Sequence, residues 1–300
     1  MSNVYFREVA EWYLAEPSKK YGKPKSENAH RRIGEMVDFW GRSLITQIDD
    51  KAVERFFNHI KSLDRSPATI NTSITYYRAV MNYARDKKRL IQYVPAVSRL
   101  PERQLATFLE PRQLNDLMAS LDPLRRDMVQ FAVWTGLRKS NVADLRIDWI
   151  SQCGNYITFP STEMKNGTTH EVPLAGAAKE VVDRRLEMVR ELQDRYHWLD
   201  PIQHVFVQSG PRKELIGKPL TQVTNRAWRT AVKKAGLPKG TRFHDLRHTF
   251  ASMHKRAGTD ALDIQRLGGW QSSKSMERYA HVSGPDLRRA AHNLGSVMQG

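Results

Sequence analysis

The segment His244-Asp245-Leu246-Arg247-His248 gathers two imidazoles and a guanidinium within five residues. Phe243, Leu246, Phe250 and Met253 recur at the spacing of a helix core face, which leaves His244, Arg247 and His248 to share a polar face. Nitrogen donors at a helix start suit a phosphate. Two other readings stand beside this one. The segment also fits a solvated basic helix, and His244 and His248 have the i, i+4 spacing of helical zinc ligands. Against zinc, Arg247 lies between them and no Glu follows His244, so no metal is expected.

Three further segments offer matching chemistry. Thr135-Gly136-Leu137-Arg138 follows an apolar run from Met128 to Trp134, so Gly136 can end a helix and hold Arg138 at a turn, where guanidinium can grip two phosphate oxygens. Lys165 falls at a turn between strand candidates and could donate a proton to a leaving oxygen, although an ordinary exposed lysine has the same signature. Gly268-Gly269-Trp270 precedes Tyr279-Ala280-His281, in which Tyr279 carries a hydroxyl able to act as a nucleophile. A lone tyrosine is most simply structural, and only the combination gives it chemical meaning.

The elements that must position these residues are mostly helical. Val4, Val9, Trp12 and Tyr13 mark a first helix stopping before Pro17, followed by a basic loop with Lys19, Lys20, Lys23 and Lys25. Ser26, Asp49 or Asp50, and Ser66 with Pro67 read as the starts of three more helices. The periodicity lapses between Tyr93 and Thr107, where Pro95 and Pro101 disfavour helix. Beyond that linker, helices are predicted near 111–121, 123–135, 176–195, 221–235, 243–256, 260–267 and 273–281. Short strands are predicted at 147–150, 156–159 and 171–174. Gly236, Gly258 and Gly268 are expected to close helices. Leu287, Ala290, Ala291, Leu294 and Val297 could line a further amphipathic helix. The fold class is therefore mainly α with a small β-sheet, α+β.

Composition narrows the partners. Lys and Arg number 48 against 32 Asp and Glu, a formal charge of +16 that makes a polyanion the first candidate. Residues 1–100 hold 18 basic and 11 acidic residues (+7), leaving 30 and 21 (+9) for the rest, so both halves can touch the same polyanion. Cys153 is the single cysteine, which rules out an internal disulfide framework, and no apolar run is long enough to span a bilayer. A cytoplasmic protein without membrane contact is expected, and a basic chain alone does not establish which polyanion it meets.

Taken in order, TGLR, MKNGTTHEVPL, HDLRH, LGGW and RYAH resemble the motifs of the tyrosine recombinases, or phage-type integrases, across about residues 109–283. The resemblance implies an N-terminal helical core-binding domain (1–94), an interdomain linker (95–108), and a C-terminal catalytic domain with a tail helix (109–300). The family's phosphate-clamping arginines fall on Arg138 and Arg247, its strand-turn lysine on Lys165, and its nucleophile on Tyr279. Its active-site histidine matches His244, and the position nine residues before the nucleophile is Trp270, whose indole N–H can donate. His248 is a supporting residue. One departure stands out: the family usually has an acid three residues after the first arginine, and here it is Asn141.

What the resemblance implies is DNA cleavage and rejoining through a 3′-phosphotyrosyl bond, needing no metal, ATP or other cofactor. Two duplexes cut at four places imply a homodimer on each double-stranded recombination site and a homotetramer in the synaptic complex. An accessory DNA-bending protein is a further candidate partner. The tail could dock on a neighbouring protomer or on its own domain. Because the helical pattern begins almost at Met1, an additional N-terminal arm-binding domain is not expected. Two rivals remain: a nicking-closing enzyme with a similar site, and an inactive DNA-binding regulator suggested by Asn141. Integration, excision and resolution are indistinguishable at this level.

Overall fold

Polar side chains one step ahead of each apolar run start the N-terminal helices. Ser26 accepts from the Ala29 amide at 3.2 Å, Asp49 from Ala52 at 2.8 Å and Ser66 from Thr69 at 3.3 Å. These begin α2 (Glu27–Trp40), α3 (Asp50–Ser62) and α4 (Pro67–Asn82); α1 is Phe6–Ala15. The computed structural model describes residues 3–17, 24–102, 108–164 and 167–272. Lys19, Lys20, Lys23, Lys165, Tyr279, part of the predicted linker and the segments predicted as helices near 273–281 and 287–297 lie outside the described residues.

The chain divides into two compact units, residues 1–104 and 105–300. In the first, Trp40, Phe56, Phe57 and Tyr77 form an aromatic centre, with Trp40 and Phe56 rings 4.5 Å apart. The Tyr77 hydroxyl reaches the Pro95 carbonyl at 3.0 Å, and Asn71 exchanges two 2.8 Å hydrogen bonds with the Leu100 backbone. Residues 95–100 are thereby tied along α4. That helix continues into a π-helical turn, Tyr83–Lys87.

The second unit contains α5 (Pro111–Ala119), α6 (Pro123–Thr135), α7 (Lys139–Ala143), β1 (Tyr156–Phe159), β2 (His170–Pro173), α8 (Gly176–Arg195), α9 (Arg226–Lys234), α10 (Asp245–Arg256) and α11 (Ala261–Gly268). Asp122 caps α6, which runs through the middle of the unit and packs on both α8 and α10. Its buried Asp127 accepts from Arg184 at 2.6 Å and from Arg185 at 2.5 Å. β1 and β2 pair antiparallel from Tyr156↔Pro173 to Phe159↔His170, sending Ile157, Phe159 and Val172 into the core. Among the described residues, no helix is long and apolar enough to cross a membrane.

Three boundaries differ from the sequence expectation. Ile147–Trp149 is a 3-10 turn rather than a strand: the Trp149 and Ile150 amides turn back to the Arg146 and Ile147 carbonyls, and Ile150 keeps only a single bridge to Ile157. The helix predicted at 221–235 starts at Arg226. Asn225 caps it there through the Ala227 amide, and the preceding Leu220 and Val223 are drawn into the core. Gly268 is helical, and Gly269 takes the left-handed conformation that ends α11.

Candidate active site

The site is assembled around one buried side chain. Arg247, in the first turn of α10, is only 2% exposed. Its Nη1 donates to the Gly136 carbonyl and to the Gly268 carbonyl, each at 2.5 Å. Its guanidinium carbon lies over the Trp270 ring, 3.7 Å from the centroid, a cation–π distance. Three motifs more than a hundred residues apart at their extremes thus meet on one guanidinium. Both carbonyls belong to the C-terminal ends of helices, α6 and α11, where such groups lack intrahelical partners and carry partial negative charge.

Close packing makes this meeting geometrically strict. Gly136 ends α6 at φ +65°, and a Cβ there would lie 2.5 Å from the Phe250 ring. A Cβ on Gly268 would sit 1.9 Å from the Trp270 ring, so the indole can fold back over Arg247 only across a glycine. Trp270 also stacks on Phe250, with centroids 6.2 Å apart.

The shared polar face expected for His244, Arg247 and His248 is divided. Arg247 and His248 are buried, because α6 and the Gly268–Trp270 turn close over α10, whereas His244 is exposed at the helix N-terminus. The solvated-helix reading is thus corrected for two of the three residues. The His244 and His248 rings meet edge to face at 5.1 Å. Although His244 as a whole is exposed, partial dehydration of its ring, then the Arg247, Arg242 and Arg138 charges, hold the imidazole below the ordinary histidine range, with Asp245 opposing. A neutral imidazole at pH 7 can accept a proton. Among the described residues, no three His, Cys, Asp or Glu side chains gather where they could hold a metal ion.

Arg138 occupies the N-cap position of α7 with an extended backbone (φ −70°, ψ 153°) and is half-buried. Its charge is a minor influence on both His244 and His170. Asn141, one turn further on, donates to the Met164 sulfur at 3.2 Å. A carboxylate at this position could not make that bond, so the departure from the family pattern has a local partner in this chain.

Sequence reasoning missed His170. It opens β2 opposite Phe159, its Nε2 lies 3.2 Å from the Leu267 carbonyl, and Gly269 passes directly against its ring. It was overlooked because a strand histidine in a turn-flanked segment carries no periodic or spacing signal. Its meaning comes entirely from the helix end packed against it.

The α+β unit in which a buried arginine joins two helix ends beneath a tryptophan belongs to a known family: the phage integrase family model matches residues 107–284, and the chain is a member of that family. Among its relatives is an integrase of Salmonella phage P22, 26% identical over 231 residues, which covers 77% of this chain and 58% of the relative. The fold is that of a Tn1549 transposon integrase solved with transposon right-end DNA, at a TM-score of 0.76, 17% identity and coverage of 97% of this chain and 100% of the other. A lambda integrase tetramer bound to a Holliday junction superposes with a TM-score of 0.73 at 16% identity, covering 93% of this chain and 78% of the other. The chain spans about three fifths of the length of the first curated relatives it matches.

Proposed function

We propose that the protein is a site-specific DNA recombinase that breaks and rejoins DNA through a covalent bond to Tyr279. The observation that carries this is the convergence of TGLR, HDLRH and LGGW on Arg247, since it holds one guanidinium rigidly at the junction of three segments the chemistry requires. Attack of the Tyr279 oxygen on the scissile phosphorus forms a 3′-phosphotyrosyl bond and releases the 5′ oxygen. Negative charge grows on the non-bridging oxygens, where Arg138, Arg247 and the Trp270 N–H stabilise it without reorganising. His244, held neutral, takes the tyrosine proton, and Lys165 supplies one to the leaving 5′ oxygen. His248 packs behind His244 and supports its orientation. The reverse sequence with a new 5′ hydroxyl rejoins the strand, so no energy source or cofactor is consumed.

The partners follow from the chemistry. Exchange between two duplexes calls for a dimer on each recombination site and a tetramer in synapsis, with both units contacting the duplex and an accessory DNA-bending protein completing some assemblies. A net charge of +16 supports that use of both units. The test is a denaturing gel of protein incubated in EDTA with nicked duplexes from the borders of the element that encodes it, beside Tyr279→Phe. A retarded, protease-sensitive adduct seen only with tyrosine is expected. No adduct on a duplex the protein demonstrably binds would replace this reading with that of an inactive DNA-binding regulator.

A further inference from the structure

The last two carbonyls of α11, those of Leu267 and Gly268, have no partner within the helix. Arg247 takes the second, and His170 lies against the first at 3.2 Å. A carbonyl only accepts, so Nε2 of His170 carries the proton and donates it. The imidazole is fixed on its other sides: it opens β2 in register with Phe159, stacks on that ring, and faces Gly269, where an added Cβ would come within 3.0 Å of Nε2. Burial outweighs the opposing Leu267 hydrogen bond and, with the Arg247 and Arg138 charges, keeps this ring below the ordinary histidine range, so it stays a neutral donor among cations.

We propose that His170 is a positioning residue for the cleavage reaction: by holding the Leu267 carbonyl it fixes the turn whose next two features, the Gly268 carbonyl and the Trp270 ring, aim Arg247 at the scissile phosphate. The proposal rests on the reading of Arg247 as a phosphate clamp. β2 is anchored in the core through Val172, whereas the turn after α11 is only three residues from the helix end to Trp270, so the strand is the fixed reference and the turn is what His170 immobilises. No charge on His170 enters the reaction, and its effect passes through Arg247.

That route has a measurable signature. A methylphosphonate at the scissile position lacks one non-bridging oxygen and its charge, so it needs arginine stabilisation far less than a natural phosphate does. Single-turnover cleavage is measured on matched phosphate and methylphosphonate duplexes with the wild-type protein, His170→Ala, His170→Gln, Arg138→Ala, Arg247→Ala and Tyr279→Phe. The ratio of the two rates within one preparation is independent of the folded fraction. On phosphate, His170→Ala should cleave about 10- to 100-fold more slowly, the scale of a small misplacement, and Arg247→Ala about 10²- to 10³-fold. Both deficits should disappear on methylphosphonate, and His170→Gln, which keeps an N–H, should stay near wild type. A His170→Ala deficit that is the same on both substrates, while the arginine deficits vanish, overturns the proposal. Arginine deficits that persist on methylphosphonate overturn the clamp reading itself, and the role of His170 falls with it.

Discussion

Replacing Gly136 by alanine tests whether the TGLR turn is as strictly built as its contacts imply. Two costs add there. The backbone sits at φ +65°, a left-handed conformation costing a side-chain-bearing residue about 1–2 kcal/mol. The new methyl would meet the Phe250 ring at 2.5 Å, an overpacking typically worth about 1–3 kcal/mol. Together they predict a loss of about 2–5 kcal/mol. Gly236 supplies the control, with φ +64° and nothing within 4 Å of an added Cβ, so Gly236→Ala carries the backbone cost alone. In a unit of this size about 1 kcal/mol lowers the unfolding midpoint by roughly 2–4 °C. Thermal unfolding followed by circular dichroism should therefore place Gly136→Ala about 2–12 °C below Gly236→Ala. The Gly136 carbonyl also holds Arg247, so the folded fraction of Gly136→Ala should cleave more slowly than that of the control. Equal midpoints for the two variants would refute the argument, because they would mean that Phe250 yields at no cost.

Three other outcomes are expected. Asp127→Asn strands the buried Arg185 charge and should destabilise the protein by about 3–5 kcal/mol in urea unfolding, while leaving cleavage per folded molecule unchanged. His170, His204, His244 and His254 are all held below the ordinary histidine range, with burial the first cause of each. The unfolded chain then binds more protons than the folded one, so stability is intact above the unfolded value of about 6.5 and is lost as pH falls below it. Unfolding midpoints measured downward through this range should drop, and a flat profile would contradict the assignment. Arg247→Lys keeps the charge but cannot span two carbonyls and lie over the Trp270 ring at once. It should lower the single-turnover cleavage rate about 10²- to 10³-fold, with gel-shift affinity for the site little altered.

Local signals in the sequence were read most accurately where the physics is local. Ser26 and Ser66 each cap the helix they were expected to start, and of the two aspartates offered for the third helix it is Asp49 that caps. Gly136 ends α6 in the left-handed conformation expected of it. The three-residue turn at Ile147 looks like a strand in sequence because Ile147, Trp149 and Ile150 are residue types that strands favour. What decides it is competition for backbone partners: the Ile147 amide is taken by the Gln203 carbonyl, contributed by a segment more than fifty residues away. α9 starts later than the predicted 221 because Asn225 caps it there and Val223, inside the predicted span, is taken by the core instead. At the site, motif order singled out Arg138, Arg247 and Trp270 as candidates, whereas the burial of Arg247 and the contact of His170 depend on carbonyls at two helix ends. No spacing rule reaches such groups.

The double use of Arg247 has an evolutionary consequence. The same guanidinium that would face the phosphate also joins the end of α6 to the end of α11, so its loss costs the protein architecture as well as chemistry. A descendant lineage abandoning strand cleavage while retaining a role on DNA would thus shed the proposed nucleophile readily and the buried arginine reluctantly. Among inert homologues, Arg247 should outlast Tyr279. Its retention in a genome sequence is accordingly poor testimony that a copy is still active.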